Sequence, residues 1–247
     1  MSDIEQFKAE RTTRLSTLGA DHPVRAAAGR FMEESIGALY SYNFEWMGVP
    51  IIQYPQDIMA LQELIWTIRP KVIVETGVAR GGSVVFLASM LELAGNDGTV
   101  IGVDIDIRPH NRAVIENHPM ARRIRLVQGS SIEPAVVEEV KTLARAAAGN
   151  VPILVILDSN HTHDHVLAEL RAYEDLVGPG SYLIALDTVV ERLPAELAFD
   201  RPWGPGDNPM TAVDAFLAES DRFEIDHEID SKLLISVGPR GYLKCIR

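Results

Sequence analysis

The chain has 247 residues, a formal net charge of −12 and 47% apolar residues. This length and apolar content suit one large α/β domain with its own core, and they argue against a disordered protein. The negative charge argues against nucleic acids and anionic membranes as partners, because both require basic surface. A single cysteine, Cys245, excludes an internal disulfide and a zinc site made of thiolates. The polar N-terminal stretch and the lack of a long apolar run predict a cytoplasmic protein.

Residues 1–50 are predicted to form an N-terminal helical arm ahead of the main domain at 51–247. The apolar spacing from Pro23 to Tyr40 predicts an amphipathic helix. Four aromatic residues follow between positions 40 and 46, and they are compatible with a strand, with a lid over a pocket, or with simple packing against the sheet. A further helix is expected from about residue 54 to Ile68, where Pro70 ends it.

The central motif of the chain is KVIVETGVARGGS, residues 71–83. Its β-branched run predicts a short buried strand, and the glycines that follow predict a turn that leads into the N-terminus of a helix. The spacing matches neither the dinucleotide G-x-G-x-x-G nor the Gly-Lys-Ser/Thr of a phosphate-binding loop, so NAD and ATP are not the first choice. The residues of this motif that we expect to bind a ligand are Glu75, Gly77, Gly81 and Ser83.

A second acidic residue narrows the range of ligands that this site could bind. Asp104 ends the next predicted strand, where open α/β sheets bind a ribose through its hydroxyl pair. The carboxylate of Glu75 would repel a pyrophosphate but suits a cation. A positively charged ligand with a ribose and no phosphate fits S-adenosylmethionine (SAM). The alternative is that the glycines only make a tight turn in a doubly wound domain.

From residue 83 onward the pattern alternates strictly between helices and strands. The predicted helices are 83–94, 109–117, 133–148 and 163–176, and the predicted strands are 99–104, 123–128, 152–157 and 181–186. This alternation predicts a parallel sheet with helices on both faces, in which ligands bind beyond the carboxyl ends of the strands. The polar or small residues expected at that edge are Glu75, Asp104, Ser130, Asp158 and Asp187.

The C-terminal part is less regular. The proline- and glycine-rich segment 192–209 is predicted to be a long loop that could cover the substrate, with Trp203 as an apolar contact. After a helix at 210–219, β segments are expected at about 223–229 and 232–237. A hairpin over 232–246 is then predicted to add an antiparallel edge to the sheet.

The densest group of titratable residues is DSNHTHDH, residues 158–165. Asp158 lies at a strand end, where it is placed to bind a metal or a substrate hydroxyl, and His161 in the following loop is a candidate general base near neutral pH. Asp158 and Asp187 end neighbouring strands, so together they could bind Mg²⁺ through oxygen. The simpler alternative is that these acids cap helices or are solvated. His163 and His165 are expected to have no functional role.

Five stretches carry a family resemblance, namely VIVETGVARGGS, GVDID, LDSNHTHDHVLAEL, PGSYLIALDT and GPGDNPMTAVDAFL. Together they resemble the cephalosporin hydroxylase-like family, a branch of class I SAM-dependent methyltransferases that includes rhamnosyl and other sugar O-methyltransferases and is similar to the macrocin-type enzymes. The resemblance runs from about Phe44 to Arg247. It implies a Rossmann-like, mostly parallel seven-stranded sheet with an antiparallel C-terminal edge, and SAM held by Glu75, Gly77, Ser83 and Asp104.

The resemblance also implies a divalent-metal site at Asp158 and Asp187. Two positions depart from the family pattern, because Asn160 and Leu186 stand where relatives often carry acids. Both changes remove negative charge from the predicted metal site, so the protein could work without metal, with His161 as the base.

The sequence therefore predicts a SAM-dependent O-methyltransferase acting on a hydroxyl of a sugar or a glycosylated small molecule, and an assembly of identical chains. Two alternatives stay open, namely a metal-dependent hydrolase or hydroxylase and a catalytically silent SAM-binding protein.

Overall fold

The computed structural model describes residues 2–18, 22–198 and 201–247. Its helices are α1 (Asp3–Ser16), α2 (Pro23–Gly37), α3 (Pro55–Ile68), α4 (Gly82–Leu93), α5 (Pro109–Glu116), α6 (Pro134–Ala148), α7 (His163–Tyr173), α8 (Pro209–Glu219) and α9 (His227–Lys232). Its strands are β1 (Phe44–Trp46), β2 (Val49–Ile51), β3 (Val72–Thr76), β4 (Thr99–Asp104), β5 (Ile124–Gln128), β6 (Ile153–Leu157), β7 (Tyr182–Ala185), β8 (Phe223–Ile225) and β9 (Tyr242–Cys245). No helix in these ranges combines the length and the hydropathy needed to cross a membrane.

One seven-stranded sheet organises the chain, in the order β5-β4-β3-β6-β7-β9-β8. The strands from β5 to β7 are parallel, whereas β9 runs antiparallel to both β7 and β8. The strand order reverses at β3, because β4 lies on one side of it and β6 on the other. This is the sheet that the sequence predicts, so the expected fold class is confirmed. The reversal beside β3 is also where ligands bind in sheets of this type.

The central strands are buried on both faces, which explains their continuous apolar sequence. All five residues of β3 and all five of β6 are buried. Alternate side chains enter opposite halves of the core: Ile73 belongs to one apolar cluster, while Val72 and Val74 belong to the other. The two halves of the core hold the sheet between layers of helices.

The N-terminal segment packs onto the sheet domain at two places. Helix α1 lies against α9, with an ion pair between Arg11 and Glu228 at 2.9 Å. The aromatic block forms a short 3-10 turn and the β1–β2 hairpin, and Trp46 packs edge to face on Phe86 of α4 at 4.9 Å between ring centroids. Of the three interpretations of this block, the strand is therefore the one observed for its second half. The domain division at residue 50 stays a prediction.

The predicted C-terminal hairpin over 232–246 is wrong, and so is the strand at 232–237. Strand β8 ends at Ile225 because the side chain of Asp226 accepts hydrogen bonds from the backbone N–H groups of Glu228 and Ile229, which begins helix α9. The antiparallel edge exists, but β9 pairs with β7 on one side and with β8 on the other. The apolar pattern here is compatible with either a strand or a helix, and the cap at Asp226 determines that the chain forms a helix.

Candidate functional site

A cavity of about 730 Å³ opens at the carboxyl ends of the central strands. Its size is within the range of small-molecule sites. It is lined on one side by the glycine turn, residues 77–83, on the other by Asp158, His161 and Asp187, and elsewhere by residues that include Tyr42, Gln53, Arg201 and Trp203. The topology therefore brings the turn after β3 and the ends of β6 and β7 into one site.

Two glycines of the turn make room for the protein's own backbone. Gly77 has a φ of +90°, and a Cβ there would collide with the carbonyl oxygen of Asp158. At Gly82, a Cβ would collide with the carbonyl oxygen of Pro50, which lies in the β1–β2 hairpin. The sequence predicts that these glycines let a ligand approach. The structure adds that they lock the turn against the β6 loop and the β1–β2 hairpin.

Glu75 lies behind the turn and is only 2% exposed. Its Oε2 accepts a hydrogen bond from the Ser83 hydroxyl at 2.9 Å, and Ser83 in turn lines the cavity. Burial raises the pKa of Glu75 to about 8, although the Ser83 hydrogen bond opposes that shift. A cation near Ser83 would favour the ionised form of this carboxyl group.

Asp104 ends β4, as predicted, and it supports the glycine turn. Its Oδ2 accepts hydrogen bonds from the backbone N–H groups of Val78 and Ala79 at 2.9 and 3.1 Å, and its Oδ1 accepts one from Asp106 N at 2.9 Å. The carboxylate thus fixes the turn in addition to any contact with a ligand. The predicted role in ribose binding stays a prediction.

The wall of the cavity does not include Asp104 or Ser130, which lie at the ends of the neighbouring strands β4 and β5. Two aliphatic side chains are exposed nearby in the chain, Ile105 at 72% and Ile132 at 38%. Sequence reasoning missed both. For Ile105 the available signal was its position immediately after Asp104, the acid that ends β4, whereas no comparable signal precedes Ile132.

Asp158, His161 and Asp187 form one cluster, as the sequence predicts for strand ends that lie side by side. Each offers a ligand atom, and these atoms lie within 4.8 Å of one another. His161 Nε2 is 3.1 Å from Asp187 Oδ2. Asp187 also has a φ of +54°, an uncommon backbone conformation for a residue other than glycine. Such conformations concentrate at functional sites, where the surrounding structure compensates for the strain.

The pKa of Asp158 is raised well above its ordinary value. Burial is the main cause, followed by the negative charges of Asp187 and Glu75. A hydrogen bond from Gln53 Nε2 to Asp158 Oδ2, 3.2 Å long, partly offsets the loss of solvent. Burial and neighbouring carboxyl groups therefore disfavour a negative charge on Asp158, so a positively charged ligand beside it would be stabilising.

Trp203 covers the imidazole of His161. The two rings meet edge to face, with 4.8 Å between centroids and an interplanar angle of 85°. The guanidinium of Arg201 lies 5.4 Å from the centre of the same indole ring. The predicted loop 192–209 thus reaches the cavity through its described residues, whereas residues 199 and 200 lie outside the described part of the chain.

The other two histidines of the segment 158–165 form hydrogen bonds with nearby hydroxyl groups. His163 Nδ1 lies 2.8 Å from the Thr211 hydroxyl, and His165 Nε2 lies 3.1 Å from the Ser131 hydroxyl. Neither lines the cavity. Gln53 does line it, and sequence reasoning missed this residue because its partner Asp158 lies 105 positions further along the chain.

This chain has a seven-stranded sheet whose strand order reverses at β3, with a glycine turn and acidic residues at the carboxyl ends of the strands. These features are those of the Rossmann-like methyltransferases. A model of the family described as rhamnosyl O-methyltransferase/CmcI matches residues 38–246, and the chain belongs to that family. The resemblance seen in the sequence motifs is thereby confirmed.

Known proteins similar to this chain agree with that assignment. A rhamnosyl O-methyltransferase of Mycobacterium tuberculosis (strain ATCC 25618 / H37Rv) is 29% identical over 225 residues, which are 90% of this chain and 86% of the relative. The Mycobacterium leprae (strain TN) protein of the same name is 29% identical over 80% of this chain and 81% of its own. The solved structure of CmcI with Mg and SAM has a TM-score of 0.57 at 21% identity, and the match covers 83% of this chain and 78% of that one.

Proposed function

We propose that this protein transfers a methyl group from SAM to a hydroxyl of a sugar or a glycosylated small molecule. The observation that carries the proposal is that the glycine turn and the cluster of Asp158, His161 and Asp187 line the same cavity. One wall suits the methyl donor and the other suits deprotonation of an acceptor. The rhamnosyl O-methyltransferases among its relatives support a sugar hydroxyl as the acceptor.

We infer that SAM lies along the glycine turn. The hydroxyls of its ribose would bind Asp104, and the adenine would lie toward Ser130, against the exposed aliphatic surface of Ile105 and Ile132. Its cationic methionine end would be placed near Ser83 and Glu75, where burial disfavours an isolated negative charge. This orientation points the sulfonium toward Asp158.

His161 is the proposed base, with Asp187 as its orienting partner. If the imidazole donates its Nε2–H to Asp187 Oδ2, the lone pair of Nδ1 is free to take the proton of the acceptor hydroxyl. The carboxylate then stabilises the imidazolium that forms. Trp203 shields the pair from water. Methyl transfer needs the oxygen, methyl and sulfur in line, so positioning supplies much of the catalysis.

The acidic residues of the cluster are also potential ligands of Mg²⁺, an ion that the CmcI structure contains. Asp158 and Asp187 are the residues that would hold it, since Mg²⁺ is bound in proteins through one or two carboxylates. The ion would supply positive charge beside the acceptor oxygen. Asn160 adds no free ligand here, because its Oδ1 already accepts hydrogen bonds from the Thr162 backbone N–H and hydroxyl, and Leu186 is buried and apolar.

The test combines SAM binding with turnover. The purified protein is titrated with SAM by calorimetry and then assayed for S-adenosylhomocysteine release with a panel of glycosides that includes methyl α-L-rhamnopyranoside. His161→Ala is expected to keep SAM binding and to lower turnover by a factor on the order of 10²–10⁴. His110→Ala, an exposed histidine on α5, is the matched control.

Each outcome separates the candidate functions. SAM binding without product from any acceptor would favour a catalytically silent SAM-binding protein. Absence of SAM binding would refute the proposal. If turnover survives in His161→Ala, His161 is not the base.

A further inference from the structure

Gln53 occupies an unusual position in the wall of the cavity. It lies between β2 and α3 and is only 5% exposed, yet it lines the cavity. Its Nε2 donates a hydrogen bond to Asp158 Oδ2 at 3.2 Å, and no other hydrogen bond to this carboxylate is found among the described residues. The oxygen Oδ1 of Asp158 is therefore left for a ligand.

The amide of Gln53 is poorly satisfied. Its Oε1 is buried and has no hydrogen-bond partner within the described part of the chain. A buried carbonyl oxygen without a partner costs free energy, and an apolar side chain of the same shape avoids that cost. Stability by itself therefore does not explain a glutamine at this position.

The backbone on the C-terminal side of Gln53 is anchored by two independent contacts. The hydroxyl of Tyr54 lies 2.8 Å from that of Ser35 on α2. Asp57, fully buried on α3, accepts hydrogen bonds from the Val237 backbone N–H at 3.0 Å and from the Tyr242 hydroxyl at 3.1 Å. The amide thus approaches Asp158 from a fixed support rather than from a free loop.

We propose that Gln53 is a positioning residue, which holds the carboxylate of Asp158 in the orientation that the transfer reaction needs. The proposal rests on the proposed function, because it acts through a residue placed at the acceptor. In this proposal the side-chain amide of Gln53 serves activity, although its unsatisfied oxygen lowers the stability of the fold.

The first experiment compares Gln53→Met with Gln56→Met. Gln56 is three positions away, also has a buried Oε1 without a partner among the described residues, and does not line the cavity. Gln53→Met is expected to lower kcat with methyl α-L-rhamnopyranoside, or the best acceptor of the panel, by roughly 10- to 100-fold, as for other residues that orient a functional group. The Kd for SAM should not change, and the unfolding midpoint should not fall. Gln53→His can still donate a hydrogen bond and should recover part of the lost rate. Gln56→Met should turn over at the rate of the unaltered protein.

A second experiment tests the contact without using activity. Gln53→Glu places a second carboxyl group beside Asp158 and should lower the midpoint of thermal unfolding. In an Asp158→Asn background the same change should lower it much less. Gln56→Glu should shift the midpoint equally in both backgrounds.

The outcomes are distinct. Equal turnover of Gln53→Met and Gln56→Met, or additive unfolding shifts for Gln53→Glu and Asp158→Asn, would overturn the proposal. If the unaltered protein releases no S-adenosylhomocysteine with any acceptor, the proposed function fails. The unfolding experiment then still decides whether Gln53 and Asp158 are coupled.

Discussion

Buried carboxyl groups determine the electrostatics of this site at the scale of single residues. Glu75, Asp57 and Asp158 all have a raised pKa, and burial is the main cause in each case. The pKa is about 8 for Glu75 and about 6 for Asp57. Each group therefore favours folding most strongly while it is protonated. A bound cation would reverse this preference.

The first prediction concerns the pH dependence of stability. The folded-state pKa of Glu75, about 8, lies above the usual value of 4.5, so its stabilising contribution is complete below pH 4.5 and is lost as the pH rises through 8. This shift corresponds to a free energy on the order of 5 kcal/mol. Urea unfolding measured from pH 5 to pH 9 should therefore show a smaller loss of stability in Glu75→Gln than in the unaltered protein.

Glu139→Gln serves as the control for that measurement, because Glu139 is exposed on α6. Its stability profile should follow that of the unaltered protein. If Glu75→Gln follows the same profile too, Glu75 does not titrate with a raised pKa.

At the scale of elements, the position of the β1–β2 hairpin depends on a contact with the N-terminus of α4. Gly82 permits this contact, since any side chain there would collide with Pro50. Gly82→Ala is expected to destabilise the protein by about 1–3 kcal/mol in urea unfolding, as in other overpacked sites, and to weaken SAM binding by displacing the turn.

Gly29→Ala is the matched change. Gly29 lies within α2, and a Cβ there would meet nothing within 4 Å. In a helix, alanine is preferred over glycine, so stability should stay equal or rise by about 1 kcal/mol. Equal effects of the two substitutions would show that the hairpin contact is not tight.

Another prediction concerns the segment after β7, in which Trp203 contacts the imidazole ring of His161. Trp203→Ala should leave SAM affinity intact and should lower kcat/KM for the acceptor by about tenfold, since an aromatic contact of about 1.5 kcal/mol is removed next to the base. Trp66→Ala, on the exposed face of α3, is the control. A change in the SAM Kd without a change for the acceptor would contradict this assignment.

At the scale of the whole molecule, the expected association of identical chains stays a prediction. Helix α1 has no buried residue, and it exposes Ile4 at 67% and Phe7 at 59%. Ile4 and Phe7 are three positions apart and so lie on one face of the helix, which an association of identical chains would cover. Size-exclusion chromatography with light scattering should give a molar mass that is a multiple of 27.2 kDa. A mass of 27.2 kDa at micromolar concentration would contradict the prediction.

Much of this protein follows from local sequence alone. The β-branched runs, the glycine turn and the acids at strand ends specify the parallel sheet and its ligand edge, because alternation and turn chemistry are encoded within short stretches. The grouping of Asp158 with Asp187 follows as well, since the ends of neighbouring parallel strands share one edge.

Only the tertiary structure decided the remaining features, because each depends on residues far apart in the chain. The hydrogen bond of Gln53 to Asp158 and the contact of Trp203 with His161 join segments that no local pattern connects. The pairing of β9 between β7 and β8 likewise depends on where a cap at Asp226 ends a strand. Local propensities set the elements, whereas long-range packing set which side chains meet in the cavity.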